Sequence, residues 1–502
     1  MAEKTQLIKL QTAEYQKLGG ITNASPAQRE DIKDKALARI HAERDKASIA
    51  ADTAAEDISL HRGQARLAYR LAEHCEGKML YVSGIGWHYY DGRKWQEDTT
   101  GRATRYVLAI LRKALADSLD HPDLRQDVRK CESAAGIEGV LKIARSLPPF
   151  ATTTDQLDAD PYLLNTRNGT LDLHTLQLRP HDPADRITRC TAAAWDPNAA
   201  GPVWEAFLAR VLPDPDVRGF LQRFCGLTLA GKVLEHILAI YTGKGRNGKS
   251  VCNQAFSTTL GDYAITAEPD LFLHRDGAHP TGTMDLLGCR YAAVSESDKD
   301  RQLAEATVKQ LTGGDRLRAR RLYQNFTEFN PSHTPVLITN HLPKVSGDDA
   351  AIWARLRVVP FDVVIPDAEQ DPHLAEKLEL ELDAILAWAV EGWQAYQEHG
   401  LGEAAAVVAA TESYHSDADA LGRFISEECD TGPGYSTLTE TLHRAWSGWA
   451  IAEDVPPMTK RSFGLALEQR GYEARKGGKG VRYRAGIQPK PVQTAFGDSG
   501  DR

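Results

Sequence analysis

Gly243-Lys244-Gly245-Arg246-Asn247-Gly248-Lys249-Ser250 has the spacing G-x-x-x-x-G-K-[ST], and its reading decides the fold around it. Before it, His236-Ile237-Leu238-Ala239-Ile240-Tyr241 is an apolar run of strand length. After it, Val251 to Leu260 reads as a helix closed by Gly261. Strand, glycine loop and helix in this order make a phosphate-binding loop. Its glycines let successive backbone N–H groups turn toward phosphate oxygens, and the helix N-terminus adds positive potential. Lys249 then reaches the β and γ phosphates, and Ser250 is placed to ligate Mg²⁺. The alternative, a chance glycine-rich turn, leaves both flanking elements unaccounted for. The expectation is an α/β domain whose residues 243–250 bind ATP with Mg²⁺.

Candidates for the chemistry lie downstream of the loop. Tyr291-Ala292-Ala293-Val294 reads as a second buried strand and ends in Ser295-Glu296-Ser297-Asp298. Acid at the C-terminal edge of such a sheet sits where metal and water gather. Glu296 is the candidate to polarise water or hold Mg²⁺, with Asp298 in reserve. By itself the stretch reads equally as a solvated acidic turn; its position after the loop favours the site. A third strand, Pro335-Val336-Leu337-Ile338, ends in Thr339-Asn340, where an amide can bond the attacking water or the γ-phosphate. Arg355 and Arg357 then flank a short apolar strand, and either suits an arginine finger offered to a neighbouring subunit's γ-phosphate.

Between the second and third strands lies Lys309 to Phe326, rich in arginine. Strand alternation puts Arg316, Arg318 and Arg320 on one face of a hairpin, opposite Leu317, with Arg321 following and Tyr323-Gln324-Asn325 at the tip. A basic ribbon with an aromatic tip suits a single-stranded phosphate backbone and a base face. A solvated charged edge strand is the competing reading.

The whole chain, 502 residues with a net charge of −9, holds three or four domains at the usual ~100–200 residues each. The charge excludes an overall basic, histone-like DNA binder, so DNA contacts must be local. Seven cysteines, odd in number and never in C-x-x-C spacing, argue for a reducing cytosol and against a zinc site or disulfide framework. No export leader and no membrane span is expected. Residues 1–62 read as a polar helical extension and 63–200 as an aromatic-rich α+β domain. Its Trp87 and Trp95 either fill a core or stack on bases. Residues 201–235 read as a helical collar, 236–365 as the nucleotide-binding domain and 366–417 as a helical region, with one core-facing helix from Leu378 to Gly400. In 418–490, three helices and two strands suggest a winged helix whose Arg475, Lys476, Lys479, Arg482 and Arg484 face duplex phosphates or, alternatively, support domain packing. Residues 491–502 read as a polar tail.

The order of phosphate loop, acidic strand end, Leu311-Thr312-Gly313-Gly314-Asp315 with its basic hairpin, Thr339-Asn340 and Trp353-Ala354-Arg355 resembles superfamily 3 helicases, specifically the phage and plasmid primase-helicase group that is similar to the poxvirus primase-helicase. Gly86-Trp87, Asp91-Gly92, Trp95 and Asn165 to Leu173 are similar to the domain that precedes the motor in that group. The resemblance covers about residues 63–490. It implies an AAA+ P-loop motor assembled as a homo-hexamer around single-stranded DNA and moving 3′ to 5′ in a bacterial host's cytoplasm. It makes Lys249 and Ser250 the nucleotide and metal residues, Glu296 the catalytic acid, Asn340 the sensor and Arg355 the finger, with Arg357 its rival. It also admits a separate primase or initiator as partner, because only about 60 residues precede the shared region and the group's polymerase-like primase domain is not expected here. The alternative function is an ATP-binding origin or replisome-assembly scaffold without processive unwinding.

Overall fold

The computed structural model describes residues 61–274, 280–296, 299, 301–320, 326–345, 349–453, 455, 458–476 and 482–491, with Ile32 and Ala36. Apart from isolated positions, the expected N-terminal extension and polar tail lie outside the described residues. The chain forms two compact units, residues 1–91 with 96–153, and residues 92–95 with 154–502. No helix among the described residues is long and apolar enough to cross a membrane.

The first unit begins with α1 (Gly63–Cys75), which buries Leu67, Ala68, Leu71, Ala72 and Cys75 on one stripe. β1 (Met79–Val82) and β2 (Gly86–Tyr90) pair antiparallel, and β3 (Trp95–Glu97) starts at the boundary between the units. Helices α2 (Arg102–Asp117), α3 (Pro122–Cys131) and α4 (Ala134–Ala144) close the core with α1, and β4 (Ala151–Thr152) adds to β1 in parallel. Trp87 is held edge-on between Tyr81 and Phe150, with ring centroids 5.2 and 5.7 Å away. In the second unit Trp95 is buried, and its indole N–H donates to the Pro183 carbonyl at 2.9 Å. Trp95 is thus a packing residue, and Trp87 is partly buried against the core of the first unit.

The second unit opens with a small meander, β5 (Leu163–Thr166), β6 (Gly169–Asp172) and β7 (Leu178–Arg179). Two collar helices follow, α5 (Pro202–Val211) and α6 (Pro215–Leu227). Then come β8 (Leu238–Thr242), α7 (Lys249–Leu260), β9 (Ala264–Ala267), β10 (Tyr291–Glu296), α8 (Glu305–Thr312), the ribbon β11 (Leu317–Ala319) with β12 (Thr327–Phe329), β13 (Thr334–Thr339), α9 (Ala350–Trp353) and β14 (Leu356–Pro360). Five of these strands form one sheet in the order β14-β8-β13-β10-β9, every neighbouring pair parallel. Alternate residues enter opposite cores. Ala239, Tyr241, Tyr291, Ala293, Val336 and Ile338 lie in one, and Leu238, Ile240, Ala292, Val294 and Leu337 in the other. A parallel sheet covered on both faces is why its strands read as unbroken apolar runs.

Four local expectations change. Lys309 to Thr312 belongs to α8, so the basic ribbon starts only at Leu317. The helix expected from Leu378 to Gly400 is broken into α10 (Leu374–Glu379) and α11 (Leu382–His399). At the break, the Glu381 carboxylate accepts from Val203 N and Trp204 N at 3.0 and 2.8 Å, satisfying the open N-terminus of α5. After α12 (Ala405–Ala418), the C-terminal module runs α13 (Ala420–Glu428), β15 (Cys429–Leu438), α14 (Thr439–Ala452), α15 (Lys460–Gln469), β16 (Ala474–Lys476) and β17 (Arg482–Pro489). Its antiparallel sheet has three strands, β15-β17-β16, where the sequence suggested two. Arg484 is buried and ion-paired to Glu468 at 2.9 Å, so it does not belong to an open basic face.

Candidate nucleotide site

The loop from Gly243 to Ser250 leaves β8 and enters α7. Gly243, Gly245 and Gly248 have φ of 152°, 39° and 81°, and Arg246 also has positive φ, 55°. This left-handed backbone aims successive N–H groups to one side. At two glycines the space is also closed. A Cβ on Gly243 would stand 2.2 Å from both Asn247 Nδ2 and the Phe361 carbonyl, and one on Gly248 2.5 Å from Val211 Cγ1.

The segment after β14 braces the loop. Buried Asn247 donates from Nδ2 to Phe361 O at 2.8 Å, Ile365 N donates to Arg246 O at 2.8 Å, and Arg246 is ion-paired to Asp367. No motif or spacing signals this support, since the partners stand more than a hundred positions downstream and meet only because β14 lies beside β8.

Lys249 is 5% exposed, and burial holds its ammonium below the ordinary lysine range. Nζ donates to Asn340 Oδ1 at 2.5 Å and to Gly243 O at 3.2 Å. Neither oxygen is a carboxylate, so among the described residues no acid neutralises the lysine, and its charge is available to an anion. Ser250 and Lys244 are exposed beside it.

Sheet order sets the rest. Glu296 is level with Thr339, and Thr339 with Thr242, so the ends of β10, β13 and β8 form one row at the phosphate-loop edge. Asn340, one residue beyond β13, therefore stands between the loop and the acidic strand end. The backbone of Glu296 ends β10, its side chain is outside the described atoms, and Asp298 lies outside the described residues.

Arg355 and Arg357 lie at the opposite edge. Arg357 is level with Ala239, three residues below Thr242, or about 10 Å along the strand. Arg357 Nη1 donates to Ala354 O and Leu356 O at 3.0 and 2.8 Å. Arg355 donates from Nε to Thr312 Oγ1 at 3.1 Å and from Nη1 to Ala351 O at 2.6 Å.

The ribbon keeps its expected alternation. Arg316 and Arg318 are exposed while Leu317 and Ala319 are buried, and the guanidinium groups of Arg318 and Arg320 each lie 4.8 Å from the Phe326 ring centre. Arg316 is ion-paired to Asp155 at 2.9 Å. Arg321, Tyr323, Gln324 and Asn325 are outside the described residues, as is Lys479. Lys476 and Arg482 are exposed opposite one another on β16 and β17.

The donor set fits a nucleoside triphosphate: a cradle that a Cβ would fill, a buried lysine held only by neutral oxygens among the described residues, an exposed hydroxyl at a helix start, and an acidic strand end across one amide.

Residues 68–213 match the family model described as "D5 N terminal like". The protein named "Putative helicase" in Acanthamoeba polyphaga mimivirus is 25% identical over 351 residues, covering 65% of this chain and 36% of that protein. The "Putative primase" of African swine fever virus (isolate Tick/Malawi/Lil 20-1/1983) is 24% identical over 359 residues, covering 66% of this chain and 37% of that protein. The chain thus spans little more than a third of the length of these curated relatives. The apo structure of the NrS-1 C terminal region superposes with a TM-score of 0.49 at 11% identity, over 85% of this chain and 100% of that one. The chain thus carries a stretch similar to the D5 N terminal like domain and, over about two thirds of its length, is similar to viral proteins named as a helicase and a primase.

Proposed function

We propose that this chain is an ATP-dependent DNA helicase, a superfamily 3 AAA+ motor that works as a homo-hexamer and opens duplex DNA during replication of a phage, plasmid or integrated element. The observation that carries the reading is the Lys249–Asn340 contact at the edge where β8, β13 and β10 end together. It links a phosphate-binding lysine to an amide placed next to the acidic strand end.

In this reading the loop N–H groups and Lys249 bind and orient the β and γ phosphates of ATP. Glu296 accepts a proton from the attacking water, and Asn340 orients that water. Mg²⁺, when bound with the nucleotide, neutralises phosphate charge, and Ser250 with Glu296 would hold it. The new bond joins water oxygen to the γ phosphorus, and the bond to the β-phosphate oxygen breaks to release ADP. Arg355, or in its place Arg357, serves the adjoining subunit's nucleotide. The separation of both arginines from their own loop supports a role in trans.

Arg316, Arg318, Arg320 and Arg321, with Tyr323, Gln324 and Asn325, grip single-stranded DNA. The C-terminal order helix, strand, two helices, two strands supports a winged helix, and Lys476, Lys479 and Arg482 are its duplex contacts. Movement is 3′ to 5′, in the cytoplasm of a bacterial host.

Strand displacement on forked duplexes with single 3′ or 5′ tails tests this. Wild type should unwind with a 3′ tail, Glu296→Gln should bind ATP and DNA without unwinding, and Lys249→Ala should lose DNA-stimulated hydrolysis while still forming rings. Wild-type rings that bind both ligands and never unwind would replace the motor reading with that of an assembly scaffold.

A further inference from the structure

We infer that Thr312 is a positioning residue that ties Arg355 to the helix from which the basic ribbon springs, a role that rests on the ring-motor reading of the chain.

Thr312 is the last residue of α8 and is 1% exposed. Its hydroxyl donates to Val308 O at 2.7 Å, one turn back on the same helix. The proton is thereby committed, and the oxygen's remaining capacity is to accept, which it does from Arg355 Nε. The hydrogen bonds thus run in one direction, from guanidinium to hydroxyl to helix carbonyl, an arrangement in which each bond strengthens the next. With Nη1 held by Ala351 O, the guanidinium is fixed at two corners.

A second tie joins the same two elements. Lys309, on α8, is ion-paired to Asp349, and the Asp349 carboxylate also caps α9 by accepting from Ala351 N at 2.9 Å. Helix α9 leads directly into Arg355. Helix α8, α9 and Arg355 are therefore connected by side chains on two sides.

Beyond Thr312 the chain passes through Gly313 and Gly314, the latter at φ +78°, and then becomes the ribbon. A load on the ribbon reaches α8 through this short glycine link, and α8 carries the side chain that holds Arg355. Thr312 is the shared point of a path from the DNA-gripping element to the group offered to the next subunit's nucleotide.

The test is ATP turnover by the full chain, with and without oligo-dT, in Thr312→Val, Thr312→Ala, Thr312→Ser, Arg355→Ala and the Thr312→Val/Arg355→Ala double variant. Thr312→Val removes the hydroxyl at nearly constant shape, and Thr312→Ala repeats the removal should valine disturb folding. We expect both to lower DNA-stimulated kcat by about tenfold to a hundredfold with KM for ATP nearly unchanged, as a misplaced reacting group does. Thr312→Ser should restore turnover, and the double variant should be no slower than Arg355→Ala. Wild-type kcat in Thr312→Val beside an impaired Arg355→Ala, absence of rescue by serine, or additive losses would each overturn the coupling while leaving the motor reading intact. Wild-type kcat in Arg355→Ala would instead remove the finger, and the inference with it.

Discussion

Lys249 Nζ donates to Asn340 Oδ1 at 2.5 Å, a contact between residues 91 positions apart that spans from the start of α7 to the neighbouring strand's end. A neutral amide holds the ammonium without cancelling its charge. Asn340→Ala should therefore leave ATP binding largely intact but lower kcat about a hundredfold to a thousandfold, the usual cost of losing one oriented polar group. Asn340→Asp should act differently. Its carboxylate pairs with Lys249 and competes with the phosphates, so KM for ATP should rise. Equal KM values in the two variants would contradict this account of the amide.

Gly248 couples the loop to the collar. An added methyl meets Val211 Cγ1 at 2.5 Å on a backbone at φ +81°. Gly248→Ala should cost about 1–3 kcal/mol by strain and overpacking. Val211→Ala in the same chain should relieve part of that cost, measured by urea unfolding. No relief would mean that backbone strain alone accounts for the loss.

The legible parts of the fold were those where burial writes a pattern into sequence. β8, β10 and β13 are covered on both faces and appear as the runs 238–241, 291–294 and 335–338. β9 leaves no apolar run because Ala264-Ile265-Thr266-Ala267 is a half-exposed edge with one large apolar residue. β15 is masked in the sequence by Gly432-Pro433-Gly434, which looks like a turn, and its pairing with β17 shifts register between Thr431 and Ser436. Helix α8 was hidden by Gly313-Gly314, which reads as a hairpin start. The strand–loop–helix geometry around residues 243–250 was legible from the spacing of that loop. Its contact with Asn340 and its bracing by Phe361 and Ile365 were not, because strand order alone brings those residues together.

Arg316 has a competitor for phosphate. The Asp155 carboxylate holds it at 2.9 Å with both side chains about half exposed. An exposed pair of this kind contributes about 0.2–1 kcal/mol and is screened by salt. Asp155→Ala should tighten single-stranded DNA binding by about twofold to fivefold at low salt, and the gain should vanish near 1 M salt. Arg316→Ala should weaken binding and reduce the slope of log K against log salt by about one. If Asp155→Ala leaves DNA affinity unchanged at low salt, Arg316 is not a DNA contact.

His333 sets a pH limit on stability that is separate from the nucleotide site. It immediately precedes β13, at the sheet edge opposite the phosphate loop, and is 1% exposed with no hydrogen-bond partner for either ring nitrogen among the described residues. Burial pushes its pKa down to about 4 from 6.5, so the ring is neutral in the folded protein at pH 7. Between pH 6.5 and 4 the unfolded chain takes up a proton that the folded chain refuses. Stability must therefore fall as pH falls through this window, by up to about 3 kcal/mol at pH 4. Asp158 opposes this, since burial raises its carboxyl and favours the folded state as pH falls. The difference between wild type and His333→Met isolates the histidine, because methionine is of similar size and does not titrate. Urea midpoints from pH 7 to 4 should fall more steeply for wild type than for the variant. Parallel lines would show that His333 finds a partner in solution and stays protonatable.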